Sequence, residues 1–182
     1  MIVVLIGPPG AGKSKQSELL KQREHVVWLS AGQLLRQLND DAINEVMNSG
    51  EMVDDEFVNQ LIEQHLDSVP RSKVAVLDGF PRHEAQAEWL LGYSAESGRA
   101  LSCVIHLQVP ADVSRQRLEG RGEDRDNPES VNERLEEYAI TIEPLVSYFK
   151  QAGIKVETVD GDRSVEAVFT DIDAVLHHVH QN

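Results

Sequence analysis

Hydrophobic positions follow two rhythms along this chain. Segments with the length and the β-branched, apolar character of buried strands occupy residues 2–6, 74–77, 103–109 and 155–159, with a weaker one at 26–29. Such segments read as the buried strands of a sheet. Residues 14–22, 54–66, 84–91, 111–119, 131–149 and 165–177 instead carry helical spacing or helix-compatible patterns. Strand and helix alternate, which predicts an α/β domain with a sheet covered by helices. Pro144 predicts a bend or division in the 131–149 helix, since proline donates no interior helical hydrogen bond. Residues 120–128 read as a compact charged turn, either a flap or an ordinary solvated loop. No repeat or long linker interrupts the pattern, and 182 residues suit one domain spanning 1–182.

The first strand runs straight into Gly7-Pro8-Pro9-Gly10-Ala11-Gly12-Lys13-Ser14, a full phosphate-loop match in a strand–loop–helix setting. Small glycines let the backbone wrap a phosphate, amides at the helix start donate to its oxygens, and Lys13 brings positive charge to the β- and γ-phosphates. The Ser14 hydroxyl suits a Mg²⁺ contact, direct or through water. Asp78 ends the 74–77 run, where open α/β sheets form ligand crevices, and is placed to organise magnesium-bound water; a turn-initiating aspartate is the bland alternative. Arg82 is placed to clamp a phosphoryl group.

Overall charge sharpens the meaning of these arginines. Lysine plus arginine number 17 against 31 aspartates and glutamates, a net −14. That field opposes a nucleic-acid polymer or an anionic membrane as partner. Arg36, Arg115, Arg117, Arg121, Arg125 and Arg134 nevertheless stand in this acidic background. Arg121 and Arg134 point to phosphate work, while a charged helix surface accounts equally well for Arg115, Arg117 and Arg125. Cys103 is the single cysteine and lies in an apolar run, so a core thiol is expected, with neither an intramolecular disulfide nor a cysteine metal cluster. The opening apolar run is too short for a secretory segment and no run is long enough to span a bilayer, so a cytoplasmic protein is expected. His177, His178 and His180 are expected on a helix surface or a frayed tail.

Several ordered motifs together resemble the adenylate kinases, within the nucleoside monophosphate kinase family, across nearly all 182 residues. They are the phosphate loop to Lys13, Ser30-Ala31-Gly32-Gln33-Leu34-Leu35-Arg36, Leu77-Asp78-Gly79-Phe80-Pro81-Arg82 with Gln86, Arg117-Leu118-Glu119-Gly120-Arg121, Arg134, and Val159-Asp160-Gly161. The resemblance implies a P-loop kinase fold in three layers around a five-stranded parallel sheet, with a monophosphate-binding lobe near residues 30–59 and a short lid near 121–132. It implies an ATP site at Gly10, Ala11, Gly12, Lys13, Ser14, Lys15, Arg117, Arg121 and Arg163. The implied AMP site takes in Ser30, Ala31, Gly32, Arg36, Met52, Val53, Gly79, Arg82, Gln86 and Arg134. Arg36 and Arg82 would hold the acceptor phosphate, Gln86 would read an adenine edge, and Lys13, Arg82, Arg121 and Arg134 would form the catalytic set. Ser14 and Asp78 would address the metal, Asp78 through water.

The implied activity is reversible, Mg²⁺-dependent phosphoryl transfer from ATP to AMP, giving two ADP, by a monomer whose partners are ATP, ADP and AMP. No protein base is needed, because the acceptor phosphate supplies an anionic oxygen. Three departures from the family pattern bear on this. Lys15 replaces an expected threonine; Ser30-Ala31 resembles uridylate–cytidylate kinases, whereas Gln86 favours adenine; and residues 122–127 form a contracted lid in which only Arg125 and Asp126 resemble the family's arginine–aspartate pattern. The lid lacks a cysteine-rich knuckle, so no structural zinc is expected. A UMP/CMP kinase is the enzymatic alternative, and a noncatalytic nucleotide-binding switch the alternative of another class.

Overall fold

A computed structural model describes residues 1–49, 52–120 and 127–181. The chain runs β1 (Ile2–Ile6), α1 (Lys13–Leu20), β2 (Val26–Ser30), α2 (Ala31–Gln37), α3 (Asp41–Ser49), α4 (Asp55–Ser68), β3 (Val74–Asp78), α5 (Glu84–Ser97), β4 (Leu101–Gln108), α6 (Ala111–Glu119), α7 (Pro128–Gln151), β5 (Lys155–Asp160) and α8 (Val165–Gln181). All five strands are parallel, in the order β2-β3-β1-β4-β5. The central strand β1 is buried at every residue, which is why its sequence shows no polar alternation.

Successive side chains of a strand point to opposite faces, and β1 uses this to seed two cores. Ile2, Val4 and Ile6 face a cluster with residues of α2, α4, α5 and α7, including Leu66, Leu90 and Phe149. Val3 and Leu5 face the other layer, with Leu20 of α1 and Ile172 and Leu176 of α8. Three layers follow, helices covering both faces of the sheet. Each fully buried aliphatic or aromatic side chain contributes roughly 1.5–3 kcal/mol. Gln16, itself buried, donates from Nε2 to the Val165 carbonyl at 3.0 Å and fastens α1 to α8.

The helix holding Pro144 does not divide: α7 continues from Pro128 to Gln151. Proline removes the bond that residue 144 would make to the Ile140 carbonyl, and both residues lie on the exposed face, where water can satisfy that oxygen. Cys103 is buried, as expected, and burial pushes its thiol up to about 12. The C-terminal histidines form no frayed tail, since α8 carries them in helix to Gln181. His177 and His178 are exposed, whereas His180 packs its ring 4.8 Å from that of His25.

Candidate active site

At the carboxyl ends of the central strands, the loop after β1 turns sharply into α1. Gly10 has φ of +81°, and a Cβ there would lie 2.5 Å from the Ser114 carbonyl oxygen of α6. Only glycine meets both conditions, so this position fixes the loop against α6. Gly12 caps α1 with φ of 90° and no side-chain bond, which leaves the helix start available to an anion. Lys13 lays its ammonium over the loop, donating to the Gly7 carbonyl at 2.7 Å and the Pro8 carbonyl at 3.0 Å. Ser14 is exposed on the first turn, and Lys15 pairs with Glu18 at 3.1 Å on the solvent face of α1.

Asp78 closes β3, in register with Leu5 of β1 on one side and Ser30 of β2 on the other. Burial pushes its carboxyl above the usual range; Lys13 opposes this most, followed by Ser30 and then Arg82. Its Oδ1 is buried without a hydrogen-bond partner. An orphaned carboxylate oxygen beside the phosphate loop, with the Ser14 hydroxyl on the adjoining turn, is a hard oxygen donor set, and it fits a hydrated Mg²⁺ ion. Among the described residues, no group of three or more histidines, cysteines, aspartates or glutamates is placed to hold a metal by itself.

On the other side of Asp78 lies a cleft lined by six residues singled out in the sequence, Ala31, Met52, Val53, Gly79, Arg82 and Gln86. Leu35, Met47 and Val58 complete its apolar wall; sequence reasoning missed them because apolar helix residues ordinarily signal core. Helix α2 carries Arg36 folded back over Gly32, where a Cβ would come within 3.4 Å of Nη2. Ser30 sits at the head of the same helix. Arg82 donates from Nε to the Gly79 carbonyl at 3.2 Å, just after the cis Phe80–Pro81 bond.

Gln86 is 3 % exposed, yet both ends of its amide are satisfied. Its Oε1 accepts from the Arg82 backbone N–H at 2.8 Å and its Nε2 donates to Asp55 Oδ1 at 2.7 Å. His83 Nε2 meets the same Asp55 oxygen at 3.1 Å. Asp55 and His83 carry no sequence signal of their own: one reads as a helix-start carboxylate, the other as a linker residue.

Arg115, Arg117, Arg134 and Arg163 do not line this cleft. Arg117 donates to the Gly161 carbonyl at 3.0 Å and to Asp162 at 3.3 Å, reaching from α6 to the loop after β5. Arg163, in that loop, donates to the Asp160 carbonyl and pairs with Asp171. Arg115 donates to Asn132 of α7 at 3.1 Å. Arg134 lines a second cleft with Glu129, Glu133 and Glu137 of its own helix and Ser49 of α3. One turn on, Tyr138 binds His106 of β4 at 3.0 Å and anchors α7 to the sheet. Arg121, Arg125 and Asp126 lie outside the described residues. Among the described residues, no helix is long and apolar enough to cross a membrane.

Sequence similarity to known proteins extends along nearly the whole chain. The adenylate kinase family model matches residues 5–154. An adenylate kinase of Phenylobacterium zucineum is 39 % identical over 186 residues, covering 97 % of each chain. One of Prochlorococcus marinus strain MIT 9301 is 36 % identical over 176 residues, 93 % of this chain and 95 % of that one. One of Leuconostoc mesenteroides is 33 % identical over 184 residues, 97 % of each. With a phosphate loop on one side of Asp78 and an apolar cleft ending in a buried amide on the other, the chain belongs to the adenylate kinase family of phosphotransferases.

Proposed function

We propose that this chain transfers the terminal phosphoryl group of Mg-ATP reversibly to AMP, giving two ADP, with the donor on the phosphate loop and the acceptor in the Arg82–Gln86 cleft. The observation that carries the reading is the buried Gln86 amide lining a largely apolar cleft that Arg82 also lines. Apolar walls from Met52, Val53 and Leu35 suit a base, and the amide supplies the polar contact that orients it.

Lys13 exchanges its loop carbonyls for phosphate oxygens when ATP arrives, and the amides of Gly10, Ala11 and Gly12 with the start of α1 receive the rest. Arg36 and Arg82 hold the acceptor phosphate in line. Arg134, with Arg121 of a lid at 121–132, balances the charge that spreads over the transferring group. Arg117 and Arg163 serve the donor side. Asp78 and Ser14 would hold the Mg²⁺ that accompanies ATP, and its charge would offset that of the phosphates. A lobe over 30–59 and the lid exclude water as they close, which suppresses hydrolysis of ATP. A cytoplasmic monomer fits the acidic surface and the single buried cysteine.

Ser30-Ala31 favours a second reading, a UMP/CMP kinase. ATP-dependent phosphorylation of AMP, UMP, CMP and GMP, compared by kcat/KM, decides between them. AMP is expected to lead; pyrimidine turnover with negligible AMP turnover overturns the assignment.

A further inference from the structure

The amide of Gln86 is not free to turn. A backbone N–H can only donate and a carboxylate can only accept, so the Arg82 N–H at 2.8 Å and Asp55 Oδ1 at 2.7 Å place the oxygen and nitrogen of that amide in one order. Flipping it would set two donors against each other at Arg82 and two acceptors against each other at Asp55; water reaches the half-exposed Asp55 carboxylate, but the Gln86 amide, 3 % exposed, would lose both partners. A primary amide carries two acceptor sites on oxygen and two hydrogens on nitrogen. The internal bonds consume one of each and leave one acceptor and one donor in fixed order.

We propose that Asp55, steadied by His83, is a positioning residue that locks Gln86 to select a base presenting an exocyclic amino donor beside a ring-nitrogen acceptor, the edge of adenine, and to reject the reversed keto edge. Inosine monophosphate is the informative counterpart of AMP. Its base replaces the amino group by a carbonyl and the bare ring nitrogen by N–H, at almost unchanged size. Facing the locked amide, that edge sets oxygen against oxygen and N–H against N–H. The inference rests on the adenylate kinase reading and adds the cause of its selectivity. It also explains why Asp55, at the start of α4, bonds across to the loop that carries Arg82: the amide bridges both walls of the cleft, so base reading and phosphate clamping share one support.

The test is the kcat/KM ratio of AMP over IMP, with ATP saturating, in the full chain. Wild type is expected to favour AMP on the order of 100-fold, the scale of a well-placed bidentate pair. Asp55→Ala should reduce the ratio by about tenfold, the worth of one hydrogen bond to a charged partner, mainly through a higher KM for AMP with kcat little changed. Asp55→Asn, whose amide oxygen still accepts from Gln86, should recover most of the ratio. Equal loss for AMP and IMP in Asp55→Ala, with the ratio intact, would mark Asp55 as merely structural and overturn the lock. Wild type preferring UMP or GMP to AMP overturns the adenylate kinase reading and the lock with it. A measurement on wild type guards against a variant that does not fold: the side-chain NH₂ protons of Gln86 should exchange slowly without nucleotide, and solvent-like exchange overturns the proposal.

Discussion

The buried amide of the proposed acceptor cleft and the cations proposed to meet phosphate are held in different ways. Gln86 is already bonded at both ends to the backbone of Arg82 and to Asp55, and its cleft is walled by residues of α2, α3 and α4. The cations proposed to meet phosphate rest on protein oxygens on both the acceptor and the donor side: Arg82 on Gly79, Lys13 on Gly7 and Pro8, Arg117 on Gly161 and Asp162, Arg163 on Asp160 and Asp171. Base recognition depends on fixed geometry, so it profits from preorganisation. Phosphate binding depends on charge, which tolerates exchange of one set of oxygens for another. On the proposed reading, the base is met by an amide already fixed in one order, and the phosphates by cations that exchange protein oxygens for theirs.

Arg82→Ala gives the largest expected effect and the sharpest division between the two sides. Phosphoryl transfer to AMP should fall on the order of 10²–10³-fold, the scale of losing one preorganised charge donor. ATP affinity, measured by titration calorimetry, should stay within about twofold, the shift of well under 1 kcal/mol expected when no contact to a ligand is lost. Equal turnover in mutant and wild type would remove Arg82 from the acceptor clamp.

Gly10→Ala attacks the other side. Its Cβ meets the Ser114 carbonyl in a backbone conformation that side chains disfavour, so the loop must shift by a fraction of an ångström or more. A misplacement of that order costs roughly 10²-fold in turnover, and ATP affinity should fall while AMP affinity holds. Loss of both affinities together would show that the two sides are one cooperative unit.

Asp78 lies on the boundary, and its substitution should separate function from stability. Asp78→Asn should lower Mg-dependent transfer on the order of 10–100-fold, as loss of a metal-organising carboxylate does. The same change should raise the thermal midpoint of the nucleotide-free protein at neutral pH. The sign follows from burial: a carboxyl whose folded pKa lies above its unfolded value stabilises the fold below the unfolded pKa and loses that contribution as pH rises through the folded one. A lower midpoint for Asp78→Asn at pH 7 would contradict it.

The smallest effect is a control remote from both sides. His25 is held below the ordinary histidine range, first by burial and next by His180; His177 and Arg23 act the same way, and Asp173 opposes them. Its folded pKa lies under the unfolded one, so stability is complete above about pH 6.5 and declines as pH falls through that value toward the folded pKa. His25→Gln should flatten this acid limb of the midpoint-versus-pH curve without changing AMP selectivity. An unchanged acid limb would assign it to other groups, His106 among them.

The central strands were legible because burial on both faces left apolar runs, whereas the edge strand β5, mostly not buried, was legible from its β-branched residues. Strand β1 matches its run residue for residue, and β3 adds only Asp78. Helices α2 and α3 escaped notice because they are short, seven and nine residues, and are supported by tertiary packing of Leu34 and Leu35 and by the Asp40 side chain accepting from Ala42 and Ile43. Helix α5 outran its expected end at residue 91. Gly92 resembles a stop signal, but the helix ends at Gly98, which takes the left-handed conformation. In the site, the phosphate loop and Arg82 announce their chemistry through spacing. The Asp55–Gln86–Arg82 chain does not, because it joins α4 to the start of α5 through a contact that only the packed fold creates. Lys15, a departure from the family pattern, sits on the solvent face of α1 beside Glu18.

The strand order has a consequence for how the protein comes into being. β1 is the earliest strand in the sequence but the middle one in space, and both its neighbours, β3 from residue 74 and β4 from residue 101, follow much later. Parallel neighbours supply no hairpin partner nearby, so the strand that feeds the phosphate loop waits for distant segments before it is held. Gly10 waits longer still, since the surface it packs against is α6. An unfinished chain therefore carries the whole nucleotide motif without the means to shape it, and competence to handle ATP arrives only once the greater part of the domain has been made.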